Sequence, residues 1–513
     1  MSNASALFRS LIVYGLCLPV AITLGYLLAT PADLTTVATV GILFLILLTP
    51  FFLRWHHVWL IAAWNMSAVL PFLPGRPNAW VAMAAVSFSI GVLQYTINRN
   101  MKFLRVPSVA RPVLFFGAVV MITARLTGGI GLKAFGGSTY GGKNYIIIFA
   151  AIIGYFALIN RQIPSKRAGL YVSLFFFGLA TWAIGDLPMV LPANFNFLFL
   201  VFPLLGSGST ALRGESVIGP LRVTGLAFFA QGLFTVMLAR YGIRGIFLEP
   251  GKSWRAIAFV GILCIGLLGG FRSLLILGAM TFAVLFYLER LHYTRMLAAL
   301  ILAALLGVTL MTAFASRLPF MVQRSMAFLP IELDPEARLS AQVSSEWRLQ
   351  MWRDVIPLIP QYLILGKGYG FSSAEMAMVQ ANRSSAAGLE STEMAGDYHN
   401  GPLSVIIPFG IFGSLGFLWI LYAGVRVVYQ NYQFGDPAYH NYNKFIFAYF
   451  TVKVFFFFTV FGGLNSDLPM FLGMLGLSIS LNGGVAKPAE APQPKVVFNR
   501  FRLHPSARRP MGI

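Results

Sequence analysis

Apolar runs of about 20 residues recur from the first residues of this chain almost to the last, and each is long enough to cross a roughly 30 Å hydrocarbon core. A chain built this way has few folds open to it. Inside a bilayer every backbone N–H and C=O must be satisfied by the protein itself, as a helix does within its own segment. Uninterrupted runs of this length, without alternation of polar and apolar residues, point to helices. Only 11% of the residues are charged, against about 25% in a soluble globular chain, so there is too little charge to coat a water-facing surface. The expected fold class is all-α, a polytopic transmembrane helix bundle of about fourteen spans (12–14), with one long, partly helical external loop.

The net charge of +21 is distributed like an orientation signal rather than a nucleic-acid footprint. Basic residues gather in short links: Arg99, Lys102, Arg105 and Arg111; Arg161, Lys166 and Arg167; Arg240, Arg244, Lys252 and Arg255; Arg290 and Arg295. Placing these links in the cytoplasm follows the positive-inside rule. It predicts spans near 10–29, 36–53, 57–74, 79–97, 113–130, 144–160, 168–186, 223–240, 256–271, 273–289 and 296–316, then 402–425, 444–461 and 468–482. The apolar stretch 196–207 is short enough to be re-entrant or interfacial. Both termini are expected inside. The first run, which follows Arg9 and lacks a small-residue cleavage signature, is expected to be retained as a helix. Cys17 and Cys264 both lie within apolar runs, so neither a disulfide framework nor a thiolate metal site is expected.

Four regions result: membrane helices over 1–316, an external loop over 317–400, further membrane helices over 401–484, and a basic, Pro-rich cytoplasmic tail over 485–513. Charge supports the placement of the loop, which holds seven Lys plus Arg and nine Asp plus Glu, whereas the rest of the chain carries +23. A loop of this length inside a compact protein is usually functional. Within it, SSEWRLQMWRDVIPLI puts Trp347 and Met351 at i, i+4 with Val355 and Leu358 near the same stripe, which predicts an amphipathic helix. Breakers follow in LGKGYG. The tail has the composition of a segment that contacts anionic lipid.

No P-loop, dinucleotide fingerprint, His-Glu-x-x-His pair or Gly-x-Ser-x-Gly elbow occurs, which removes the common ATPase, oxidoreductase, metalloprotease and hydrolase readings. Polar residues at the external ends of spans remain, and these are expensive to keep in apolar surroundings. His399 and Asn400 stand just before a span. An imidazole there is either a general base for a hydroxyl nucleophile or an interfacial group that hydrogen-bonds the helix start. Arg272 interrupts more than thirty apolar residues, so two spans meet at it; its guanidinium either binds phosphate oxygens in a bidentate fork or snorkels to the headgroups. Arg348, on the predicted loop helix, is a candidate second phosphate ligand, whereas Arg353 reads better as a solvated partner of Glu346 or Asp354. Arg222 reads as an interfacial anchor. Lys453, within a span, needs a partner or a water-filled cavity, and Lys367 lies in the glycine-rich turn. Glu332, Asp334 and Glu336 have poor spacing for a metal, and no metal site or cofactor is expected.

An arginine between two spans, a Trp-Arg helix with a glycine-rich turn in a long external loop, and a His-Asn before a span occur in that order. Together they resemble the O-antigen ligase and O-antigen polymerase superfamily. His399, Asn400, Leu403, Gly410 and Gly413 are similar to its His-Asn, Leu and Gly-x-x-Gly. Gly366, Gly368 and Gly370 are similar to its Gly-x-Gly-x-Gly, and Arg222, Thr224 and Gly225 to its Arg-x-x-Gly. The likeness runs from Arg222 to Ile420. Pro408 stands where the family often has Glu, and Phe271 where a Ser commonly precedes the arginine.

The resemblance implies a GT-C-like membrane glycosyltransferase of the bacterial cytoplasmic (inner) membrane. Such an enzyme moves a glycan from an undecaprenyl diphosphate carrier to a hydroxyl of lipid A-core or of a growing polysaccharide, on the external face. In that chemistry His399 is the base, Arg272 and Arg348 hold the diphosphate without a metal, and Asn400, Arg222, Lys453 and Lys367 lie on the substrate path. Membrane lipid is a partner and nucleic acid is not. The alternative is a transporter of polysaccharide or lipid-linked oligosaccharide, but the paired broken helices of internal repeats that mark many transporters are not evident.

Overall fold

A computed structural model describes residues 34–73, 75–98, 103–130, 140–189, 191–204, 223–327, 329–374, 396 and 398–488, with isolated positions before residue 34. The expected first span, 10–29, falls almost wholly outside the described residues, as does the tail beyond 488. The described chain is helical throughout, and its only β-type pairings are the isolated bridges Val69–Asn78 and Tyr140–Phe371. It is an all-α membrane bundle. Seven helical segments are long and apolar enough to cross a membrane, and three shorter apolar helices accompany them among the described residues.

The helices that matter below are α1 (Leu34–Ala63), α2 (Ala79–Ile97), α3 (Pro107–Thr127), α4 (Gly142–Leu158) and the composite α5 (Ser165–Met189). Next come α6 (Thr224–Phe247), α7 (Trp254–Leu268), α8 (Arg272–Leu288), α9 (Met296–Ala313), α10 (Phe320–Ser325) and α11 (Pro335–Val355). The series ends with α12 (Gly401–Phe434), α13 (His440–Thr459) and α14 (Leu464–Asn482). The innermost is α14, which is almost wholly buried and packs against α4, α12 and α13. At the other extreme, no residue of α9 is buried although it is the most apolar span. A cavity of about 930 Å³ lies among α6, α7, α8 and α9, lined by apolar residues such as Phe234, Phe259, Leu277, Phe282 and Ala303.

One expected link is absent. The expected spans 36–53 and 57–74 leave a link at 54–56, but α1 continues through it as a single 30-residue helix. The reason is that both imidazoles find partners on neighbouring helices. His56 Nδ1 lies 2.8 Å from Ser87 Oγ on α2, and His57 Nε2 donates to the Leu158 carbonyl at 2.9 Å. Polar groups satisfied sideways do not need a water-exposed turn. The described part of the stretch 196–207 holds the end of a 3-10 helix, Ala193–Phe197, and a four-residue helix, Leu198–Val201.

Two of the helices are broken and repaired from elsewhere. In α6, Gly242 takes φ +63° and ψ −178°, which leaves the next N–H groups without helical acceptors. The buried carboxylate of Glu289 accepts from Ile243 and Arg244 N–H and is itself paired with Lys444 Nζ at 3.1 Å. In α12, Gly410 takes φ +60° and ψ −158° just after Pro408. The carbonyls of Ile407 and Pro408 lose their helical donors there and instead accept from Lys367 and Gly368 N–H at 2.8 and 2.9 Å; Ile411 N–H donates to the Leu363 carbonyl at 2.6 Å. The turn 363–368 thus completes the ladder of a membrane helix it does not belong to.

That repair requires glycine at 366, which has φ +82° and where a Cβ would lie 2.2 Å from the Pro408 carbonyl oxygen. The left-handed backbone alone costs an L-residue about 1–2 kcal/mol, and the clash is with rigid backbone. Gly366→Ala is therefore expected to lower stability by at least ~1–2 kcal/mol, read as a lower unfolding midpoint of the purified protein in detergent. An unchanged midpoint would show that the turn and α12 are not packed as described.

Candidate active site

The segment 317–400 is organised, among its described residues, around α11. Asp334 caps its N-terminus by accepting from Glu336 N–H at 2.8 Å, and Pro335 follows at the first helical position, where its missing N–H costs nothing. This role accounts for Asp334 within the acidic run Glu332–Glu336. The N-terminal half of α11, through Ala337 and Ala341, packs next to α10. The C-terminal half carries the expected stripe: Met351 and Val355 are buried with Tyr398, Leu403 and Ile407, and Trp347 packs beside them. The amphipathic face therefore lies on the first turns of α12, and Trp352 Nε1 donates to the Tyr398 carbonyl at 2.9 Å.

This docking sets the residue that follows. His399 sits at φ +51°, a left-handed conformation unusual for a non-glycine residue and met chiefly where surrounding contacts enforce it. Its imidazole is held between two aromatic rings, Trp347 at 5.4 Å and 88° and Phe461 at 5.2 Å and 90° between ring planes. Asn400 is the N-cap of α12, its Oδ1 accepting from Leu403 N–H at 3.1 Å. The helix start is pressed against the α13–α14 turn: a Cβ on Gly401 would lie 2.2 Å from the Phe457 carbonyl oxygen, and Ser404 Oγ accepts from Leu464 N–H at 3.0 Å.

Arg348 joins this group, its guanidinium carbon 5.9 Å from the centroid of the Phe461 ring. The structure therefore brings His399 and Arg348 to one aromatic ring although 51 positions separate them. Arg272 begins α8 immediately after the Gly269–Phe271 turn, at the meeting of two apolar helices as the sequence requires. That turn abuts α10, since a Cβ on Gly270 would lie 2.9 Å from Met321 Sδ, and α10 in turn packs beside α11. Arg272 has no hydrogen-bond or ion-pair partner among the described residues. The Gly269–Phe271 turn before it and α11 share α10 as a neighbour.

The remaining candidates are placed as follows. Lys453 forms a part-buried ion pair with Asp467 at 2.6 Å, so its charge is answered within the protein. Lys367 contributes its backbone N–H to the repair of α12 and its side chain is half-buried. Arg222 lies outside the described residues. The Gly225 of the same motif is described, and its N–H donates to Asp186 Oδ2 at 2.6 Å while a Cβ there would lie 2.2 Å from the Trp182 carbonyl oxygen.

Three residues near these groups were missed from sequence: Asp186, Phe461 and Asp467. The two acids carried a usable signal, because each sits in an apolar segment of a chain with only 17 acids, and a carboxylate there demands a partner. Phe461 carried none, being one of 46 phenylalanines.

No curated protein matches the chain. Residues 256–418 match the family model described as O-Antigen ligase, a segment that runs from α7 into α12 and includes Arg272, Arg348 and His399 but neither Arg222 nor Phe461. Over that segment the chain is similar to the O-antigen ligase family, and its long apolar helices make it an integral membrane protein.

Proposed function

We propose that the protein transfers or polymerises glycan from an undecaprenyl diphosphate-linked donor onto an acceptor hydroxyl, of lipid A-core or of a growing polysaccharide, at the outer face of the bacterial cytoplasmic membrane. The observation that carries this reading is the convergence of His399 and Arg348 on the Phe461 ring at the mouth of α12. A base and a cation side by side are what the reaction needs. The acceptor hydroxyl attacks the anomeric carbon, a C–O bond forms, the bond from that carbon to the diphosphate oxygen breaks, and the hydroxyl proton is taken up by His399. Negative charge grows on the departing diphosphate, where guanidinium groups act as preorganised donors. Arg348 and Arg272 supply them, Arg272 from the tip of the α7–α8 hairpin and Arg348 from α11.

The same reading assigns residues 1–316 and 401–484 to the membrane, 317–400 to the outside and 485–513 to the cytoplasm. Its support is the acidic balance of the loop against the basic links that alternate with it. Asn400, Lys367, Arg222 and Lys453 serve this site indirectly in the proposal. Asn400 fixes the helix end that carries the base, Lys367 holds the turn that completes α12, Arg222 precedes the Gly225 cap, and Lys453 secures the α13–α14 turn.

Purified His399→Ala is expected to lose transfer from a lipid-linked oligosaccharide by about 10²–10⁴-fold, the range spanned by general-base catalysis, while eluting as a folded protein. Wild-type transfer by this variant would eliminate His399 as the base. Arg272→Ala and Arg348→Ala are each expected to weaken donor use by roughly 10–100-fold in kcat/KM, the worth of a charge-assisted hydrogen bond. Lysine at either position should recover only part of it because the planar fork is lost; full activity in both lysine variants would refute phosphate binding by these groups. For orientation, a cysteine replacing Glu336 should react with an impermeant maleimide added to intact cells, and one replacing Asp436 only after permeabilisation. The reverse pattern would put the site on the wrong side of the membrane for this reaction.

A further inference from the structure

We propose that Phe461 is a positioning residue, holding the His399 imidazole and the Arg348 guanidinium in register, and that the Lys453–Asp467 ion pair fixes the turn from which it acts. This rests on the reading of His399 as the base. Phe461 lies outside the segment matched to the O-antigen ligase family, on a different helical hairpin from both groups it touches.

The geometry of the ring is specific. Perpendicular aromatic contacts on two sides, Trp347 from α11 and Phe461 from the α13–α14 turn, oppose rotation of the imidazole out of its plane. The Phe461 ring also meets Arg348, whose cation is drawn to a π-face. One side chain therefore sets the separation between a proton acceptor and a cation that arrive from α12 and α11. Leucine in its place would fill much of the volume and supply neither interaction.

The turn that presents Phe461 is tied at both ends. Val460 and Phe461 N–H both donate to the Phe456 carbonyl, at 2.9 and 3.1 Å, which closes α13. Across the turn the Asp467 carboxylate accepts from Gly463 N–H at 2.9 Å through one oxygen and binds Lys453 Nζ at 2.6 Å through the other. Lys453 stands two turns before Phe461 on α13, so a single buried carboxylate links the body of α13 to the first turn of α14. There is no slack on the third side either, since a Cβ on Gly462 would lie 2.7 Å from the Cα of Gly401. A buried ion pair of this kind adds little net stability compared with apolar packing. Its placement here defines where the turn sits relative to the start of α12.

The test measures kcat and donor KM for the full chain in lipid nanodiscs, using an undecaprenyl diphosphate-linked oligosaccharide extracted from the host cell. Phe461→Tyr is expected to stay within about twofold of wild type, whereas Phe461→Leu and Phe461→Met lose roughly tenfold or more in kcat, as removal of the ring contacts predicts. The unfolding midpoint of the two aliphatic variants is expected to stay near that of the wild type. Asp467→Asn, which keeps an acceptor for Gly463 N–H but loses the charge, is expected to lower kcat in the same direction. Wild-type kcat in both aliphatic variants, beside an inactive His399→Ala, would overturn the positioning role and leave the base in place. Wild-type kcat in Asp467→Asn alone would remove the ion pair from the device, and an active His399→Ala would overturn both the base and the role built on it.

Discussion

A helix that crosses hydrocarbon cannot leave backbone groups unanswered, and α12 violates its own ladder at Gly410. Everything at the start of α12 follows from how that violation is settled. The turn 363–368 donates two N–H groups and accepts one, so the segment before α12 is bonded into that helix rather than resting on it. With the turn anchored, the end of α11 is brought onto the first turns of α12, and the Trp347–Met351–Val355 stripe has a surface to cover. With α11 anchored, Trp352 grips the residue before His399 and Trp347 takes one side of its ring. The glycine spacing and the His-Asn pair, which are separate motifs in the sequence, are two ends of one hydrogen-bonded assembly.

The break in α6 is handled differently, and the contrast is instructive. There the freed N–H groups turn to a side chain, Glu289, whose charge is then balanced by Lys444 from α13. A carboxylate cap ties three helices together through one buried charge, and it needs a cation at a fixed distance. The backbone-to-backbone settlement in α12 needs no charge, only glycine where the two strands of chain approach. These two ion pairs thus mark joints between helices: Glu289 with Lys444, and Asp467 with Lys453.

Much of this could be read from the residues. The helical fold follows from the length of the apolar runs, the docking face of α11 from the i, i+4 spacing of Trp347 and Met351, and the hairpin tip at Arg272 from the one charge that interrupts a long apolar stretch. What was hidden is what depends on a second helix. Nothing in the sequence gives His56 and His57 their partners, Ser87 and the Leu158 carbonyl, which lie on other helices. Lys453 looks like a free intramembrane cation until Asp467, a turn and a helix later, answers it. Phe461 is indistinguishable by type from the other phenylalanines, and its place between an imidazole and a guanidinium is set wholly by tertiary packing. Periodicity reports which face of an element is apolar; it does not report what that face meets.

The α9 helix carries a consequence of another kind. With an apolar surface and not one buried residue, it has little protein packing to fix its tilt. Such a helix answers to the match between its own apolar length and the local hydrocarbon thickness, tilting in thin bilayers and straightening in thick ones. Because α9 forms one wall of the 930 Å³ cavity, membrane thickness and acyl-chain composition become variables of the protein's own interior shape.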